Sequence, residues 1–174
     1  MQEAKWQECV AFHGHACPGL AIGFQAARAA QVHLGFGSAA DEELVCITEN
    51  DACGVDAVQY LTGCTMGKGN LIFRPRGKQA FSFFVRRTGE AVRLVWKPTD
   101  LPEEREAKMK AIVEADPVAL FEVKDPTYDV PEQARLFRTV NCENCGEGAA
   151  EPFIRLQNGR QLCVDCVDAY SRGW

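Results

Sequence analysis

Cys142-Glu143-Asn144-Cys145 and Cys163-Val164-Asp165-Cys166, separated by seventeen residues, divide this chain into two folding problems. At C-x-x-C spacing, two thiolates on one tight turn reach the same tetrahedral ion, and two such knuckles close a four-sulfur zinc site. Residues 138–174 carry few large apolar side chains, so metal must supply the folding free energy that a hydrophobic core would otherwise give. Four cysteines leave no open coordination position, which marks the site as structural rather than catalytic. Between the knuckles, Gln157-Asn158-Gly159 predicts a hairpin joining residues 153–156 to 160–163. The second knuckle runs into residues 164–170, which are helix-compatible. A knuckle, a hairpin and a knuckle opening a helix describe a treble clef. The expected organisation is a core domain over residues 1–131 and a zinc module over 132–174.

The chain of 174 residues is long enough for one such core plus a small module, and 47% hydrophobic content suits a globule. Residues 1–12 lack the basic flank and apolar run of a signal peptide, and no stretch reaches membrane-spanning length, so the expected location is the cytoplasm, with no membrane partner. The nine cysteines are an odd number, four are assigned to the module, and cytosolic thiols stay reduced, so metal or redox chemistry explains the rest better than disulfides. The net charge of −5 is unevenly spread. Residues 68–97 hold eight bases against Glu90 alone, whereas residues 100–132 hold ten acids against four bases. Such blocks could meet in the fold or across a dimer, or the basic one could attract an anion.

Pro18–Leu34 predicts a helix, with proline in its first turn and Gly35 as its stop. A β-rich run occupies Leu44–Thr48, and a second helix is expected over residues 53–61 with Asp51 as its cap. Strands are expected at residues 71–74, 80–87 and Ala91–Trp96, the last two turning at Thr88-Gly89, as an antiparallel meander. A charged amphipathic helix is expected over residues 101–115, begun near Asp100 and Pro102. Pro117, Pro126 and Pro131 then punctuate an irregular connection that wraps the core. The fold class is α+β, with helices packed on an antiparallel sheet and a small C-terminal treble-clef module.

His13-Gly14-His15-Ala16-Cys17-Pro18-Gly19 places two imidazoles and a thiol directly ahead of a helix. Unpaired N–H groups and the macrodipole at that helix start favour an anion, so Cys17 is placed to be a thiolate. A thiolate beside an imidazole is either a pair of metal ligands or a nucleophile with its base. Cys53 and Cys64 add thiols at the two ends of the second helix, and Lys68 follows. Gly63 to Lys68 is one residue short of a phosphate-binding loop and leads into a strand, so that reading fails. Cys9 and Cys46, among apolar neighbours, are structural.

The segment His13-Gly-His-Ala-Cys-Pro-Gly-Leu-Ala-Ile-Gly, followed by Asp51-Ala-Cys-Gly-Val-Asp-Ala-Val-Gln-Tyr-Leu-Thr-Gly-Cys-Thr-Met-Gly-Lys-Gly-Asn-Leu, resembles the FmdE-like family, that of the E-type chain of formylmethanofuran dehydrogenase, over about residues 5–130. Some members carry a C-terminal treble-clef zinc finger similar to this tail. The resemblance implies a dimerising α+β core, a cleft lined by the histidine–cysteine loop, Cys53, Cys64 and Lys68, and association with the molybdenum or tungsten enzyme that reduces carbon dioxide onto methanofuran in methanogenesis.

Two functions are consistent with these features. In the first, the chain is a metal-binding protein that accompanies an oxidoreductase. Its core ion is held by some of His13, His15, Cys17, Cys53 and Cys64, and mixed nitrogen and sulfur ligands suit zinc but also iron or nickel. Cys17, His15, Cys53 and Lys68 are then the candidate catalytic residues, with Lys68 holding an anionic group, or the thiols cycle through a disulfide without a core metal. In the second, the core only dimerises, as a homodimer, and the zinc module docks a partner. With four bases against five acids in residues 138–174, nucleic acid is a weaker partner than protein, which Phe153, Tyr170 or Trp174 would contact.

Overall fold

The computed structural model describes residues 2–97 and 100–169. It divides into two compact units, Met1–Ala134 and Arg135–Trp174.

In the first unit, β1 (Leu44–Thr48), β2 (Leu71–Phe73), β3 (Ala80–Val85), β4 (Ala91–Trp96) and β5 (Phe121–Lys124) form one sheet in the order β2-β1-β3-β4-β5. β1 is buried at every position, which matches its largely apolar sequence: it is an interior strand covered on both faces. Because successive side chains point to opposite faces, Cys46, Phe81, Phe83, Val92 and Leu94 turn towards the helices. Val45, Ile47 and Phe84 form a second cluster on the other face with Ile72 and Tyr128.

The helical layer comprises α1 (Gln2–His13), α2 (Pro18–Leu34), α3 (Gly54–Thr62) and α4 (Arg105–Glu114). α2 lies at its centre, with Leu20, Phe24 and a run of alanines fully buried. It begins at Pro18 and ends at the left-handed Gly35, as its sequence predicts. Gln25, also fully buried, reaches the carbonyls of Ile112, Val113 and Ala115 at the C-terminal end of α4.

Several expectations require correction. The sheet is mixed rather than antiparallel throughout: β2 runs parallel to β1, with Cys46 opposite Leu71 and Thr48 opposite Phe73. The intervening α3 is therefore a crossover helix, whereas β1, β3, β4 and β5 pair antiparallel. Two elements, β5 and α1, are additions to the expected set; the buried stripe of α1 is only Trp6 and Cys9, too thin for a periodic signal. Trp6 meets Phe24 edge-on at 5.4 Å. Asp51 does not cap α3; Cys53 takes the cap position, with no side-chain bond. α4 starts at Arg105 because the Glu104 carboxylate accepts from the N–H groups of Glu106 and Ala107. The opposed charge blocks do not pair as blocks, since Arg93 forms a buried bidentate pair with Glu49 and Arg86 approaches Glu42. Arg86 also donates to the carbonyls of Pro131 and Glu132, fastening the irregular connection to the core.

The second unit contains two hairpins, β6 (Thr139–Asn141) with β7 (Gly148–Ala150) and β8 (Ile154–Gln157) with β9 (Arg160–Cys163). The second turns at Asn158 and Gly159, both at positive φ, as the Asn-Gly signal requires. Residues 164–169 form a turn and extended chain instead of the expected helix start; Tyr170 and Trp174 lie outside the described residues.

Candidate metal centres

The core cluster is assembled where two helices begin. Cys17 caps α2, its Sγ accepting from the Leu20 N–H at 3.3 Å, and Cys53 caps α3. The two starts can approach because the helices cross glycine on glycine: a Cβ on Gly23 would lie 1.9 Å from the Gly54 carbonyl oxygen. A Cβ on Gly19 would lie 3.3 Å from the Cys53 Cβ and 3.9 Å from the Cys17 Sγ. Gly14, at φ +94°, turns the chain between α1 and α2 so that His13, at the end of α1, and His15 face each other with ring centroids 4.5 Å apart. One ligand atom from each of His13, His15, Cys17 and Cys53 lies within 4.8 Å of the others. His13 Nδ1 is 2.6 Å from Asp56 Oδ2, while its Nε2 is buried with no hydrogen-bond partner among the described residues. A buried imidazole nitrogen without a partner, in a ring of sulfur and nitrogen donors, fits a bound cation. Desolvation, and then the neighbouring Cys17 sulfur, push the Cys53 thiol above its usual range. A cation would reverse that repulsion.

His13, Cys53 and Asp56 also form one wall of a cleft of about 400 Å³, within the range of small-molecule sites. The cleft lies beyond the carboxyl ends of the parallel strands β1 and β2, and their final residues, Thr48 and Phe73, line it. Asp51 and Asp56 are the charged carboxylates of its lining, with no lysine or arginine beside them.

Cys64 and Lys68 are not brought to this cluster, which corrects the expectation that they line it. Cys64 lies at the far end of α3, fully buried, its Sγ 3.5 Å from the Leu44 carbonyl and its thiol pushed up to about 11 by desolvation. Lys68 Nζ donates to the Ala39 carbonyl at 3.1 Å. Of the two α3-flanking thiols named as possible ligands, Cys53, from the near end of the helix, joins the cluster and Cys64 does not. Cys9, raised to about 11, and Cys46, raised well above its usual range, are held as thiols by desolvation, in agreement with a structural role.

In the second unit, ligand atoms of Cys142, Cys145, Cys163 and Cys166 lie within 4.8 Å of one another, an arrangement that fits a zinc finger. Backbone N–H groups of Cys145, Cys163 and Asn144 lower Cys142 to about 6. The Glu147 N–H lowers Cys145, but desolvation and three neighbouring thiols outweigh it and carry Cys145 up to about 12. Four thiols this close cannot all ionise without a cation among them.

Residues 12–124 match the model of the family described as FmdE, molybdenum formylmethanofuran dehydrogenase operon. The chain belongs to the FmdE family. A solved structure, described as that of a tungsten formylmethanofuran dehydrogenase FmdE-like protein from Syntrophus aciditrophicus, superposes with a TM-score of 0.71 at 28% identity, covering 95% of this chain and 91% of that one. A probable S-adenosyl-L-methionine-binding protein of Archaeoglobus fulgidus is 30% identical over 91% of this chain; this chain spans 51% of that relative's length. No helix among the described residues is long and apolar enough to cross a membrane.

Proposed function

We propose that this FmdE-family chain is a metal-binding protein whose core ion, held by His13, His15, Cys17 and Cys53, stands in the wall of a small-molecule cleft, and that the four-cysteine finger holds a structural zinc. The observation that carries this reading is the gathering of His13, His15, Cys17 and Cys53 beside the cleft, with the buried His13 Nε2 left without a partner among the described residues. Two imidazoles and two thiolates suit zinc, with iron or nickel as the other ions this set would take. An ion bound there supplies Lewis acidity to a carbonyl or an anchor for a thiol. The chain's own contribution is to fix the donors at two helix starts and to line the ligand's space. With Asp51 and Asp56 in that lining and no lysine or arginine among its described residues, the cleft selects a neutral or cationic ligand over a phosphorylated one. The sulfonium of S-adenosylmethionine has that charge, and the description of the Archaeoglobus relative supports it as the first ligand to try. The descriptions of the family and of the Syntrophus relative support a place beside a molybdenum or tungsten one-carbon oxidoreductase.

Metal content tests the reading. Two ions per chain are expected, with one retained when Cys142→Ser empties the finger. A single ion that disappears in that variant would remove the core site. Calorimetric titration with S-adenosylmethionine against S-adenosylhomocysteine, which lacks the sulfonium charge, tests the ligand, and equal affinity for both would reject charge selection. A second reading, docking of a protein partner by the finger, is favoured by the exposure of Phe153, Leu156 and Val164. Charge-reversal at Arg155 and Arg160 that leaves partner capture intact, while Phe153→Ser abolishes it, would support it.

A further inference from the structure

The first turns of α3 carry Cys53, Asp56 and Gln59 at three-residue spacing, and the side chains of Gln59 and Asp56 form a chain that ends at His13. Asp56 Oδ2 is 2.6 Å from His13 Nδ1, and Gln59 Nε2 donates to Asp56 Oδ1 at 3.3 Å. The Asp56–His13 contact engages the Nδ1 side of the ring, the side an outer carboxylate holds when the opposite nitrogen is a metal ligand. The other ring nitrogen then has two possible states. As N–H it would be a buried donor with no acceptor, since Nε2 has no partner among the described residues. As a bare lone pair it is a ligand, on a ring that contributes one donor atom to the cluster with His15, Cys17 and Cys53.

We propose that Asp56 is the positioning residue of the core metal site: it fixes the His13 tautomer and ring orientation so that Nε2 is presented to the ion, with Gln59 holding the carboxylate in place. α3 thus supplies a ligand, the group that orients a second ligand, and the clamp on that group. Carboxylate–histidine–metal relays of this kind orient the ring and raise ligand basicity, and removing the outer group lowers metal affinity about 10- to 100-fold. The pattern was legible as Cys53-x-x-Asp56-x-x-Gln59, although nothing in the sequence alone pointed it at His13.

This inference rests on the proposed core site, so its test must separate the two. The full chain is loaded with cobalt(II) or zinc(II), and core affinity is measured by chelator competition, with the finger as an internal control. Asp56→Asn keeps the shape but removes the charge and lets the amide turn its N–H₂ towards Nδ1. It is expected to weaken the core ion by about 10- to 100-fold, leave the finger unchanged and alter the cobalt d–d and thiolate charge-transfer bands of the core alone. Gln59→Ala, which leaves Asp56 in place, should weaken it several-fold in the same direction and decides the matter if Asp56→Asn does not fold. Core affinity within twofold of the parent in both variants, or a lower melting point of the metal-free protein with unchanged affinity, would make Asp56 merely structural and overturn the proposal. If the parent itself holds one ion and Cys17→Ser holds the same one, the core-site reading has failed, and the role assigned to Asp56 falls with it.

Discussion

The core and the finger each gather four metal-ligating side chains, but they do so by opposite means. In the core, the donors sit at the ends of helices and in the short loop between two of them, all held by a five-stranded sheet, a buried α2 and a glycine-on-glycine crossing, so the site exists whether or not an ion fills it. Among the described residues of the finger, the buried ones are Cys142, Leu162 and Cys163, packed against Ala149, Ile154, Cys166 and Val167. Two of its three buried members are ligands. There the ion is the core; in the larger unit, packing organises a place where an ion can be used. The same physical difference separates metal that folds a protein from metal that a folded protein holds for a purpose.

The largest effect should come from removing metal from the finger. Cys163→Ala deletes a ligand from a unit with almost no apolar surface to fall back on, and structural zinc contributes on the order of 10 kcal/mol to such folds. Hydrogen exchange should show protection lost across residues 139–169 and retained across β1, β3 and β4. Loss of protection in those strands would mean that the core too depends on the finger's ion, and the comparison would fail.

Next in size is the crossing that builds the core site. Gly23→Ala puts a methyl 1.9 Å from the Gly54 carbonyl, which is backbone and cannot step aside, so α2 and α3 must part. Overpacking of this kind costs about 1–3 kcal/mol. Because Cys17 and Cys53 begin those two helices, core metal affinity should fall together with stability, while the finger retains its ion. A variant that melts lower yet binds core metal normally would show that the site does not depend on the crossing.

How much of this was readable follows from the range over which each signal acts. The finger was legible in four cysteines and an Asn-Gly turn, because its chemistry is local. α2 was legible through Pro18 and Gly35, and the β3–β4 hairpin through Thr88-Gly89. Of the core site, His13, His15 and Cys17 were legible as one loop, and Cys53 as a thiol near a helix start. The choice of Cys53 over Cys64 as their partner was not, because it depends on which end of α3 crosses α2, and that is set by Gly23 meeting Gly54 across 31 residues. β2 looked like part of a meander for a related reason. Its three residues carry no mark of direction, and its parallel pairing follows from α3 carrying the chain back across the sheet.

A smaller effect, of opposite sign in its two readouts, is expected at Cys17. Serine is among the better N-cap residues, so Cys17→Ser should accept from the Leu20 N–H at least as well as sulfur does, and the metal-free core should melt no lower. A serine hydroxyl is not ionised at neutral pH and is a poor zinc ligand, so core metal should be lost or strongly weakened while the finger's ion remains. Unchanged core affinity would remove Cys17 from the ligand set.

The smallest effect should come from the two residues that the sequence placed at the site and the structure does not. Cys64 is fully buried, desolvation pushes its thiol up to about 11, and its Sγ faces the Leu44 carbonyl. At neutral pH it is therefore a thiol hydrogen-bonded to backbone rather than a thiolate facing an ion. Cys64→Ser keeps a donor for Leu44 and exchanges a large atom for a smaller, more polar one, a change of about 1 kcal/mol in stability. Lys68→Met removes a single bond to the Ala39 carbonyl from a partly exposed side chain, for which about 0.5 kcal/mol is the ordinary scale. Both variants should retain two ions per chain with parental affinity. If Cys64→Ser retained only the finger's ion, α3 would have to present its far end to the histidine loop, and the glycine crossing that organises the core site would be misassigned.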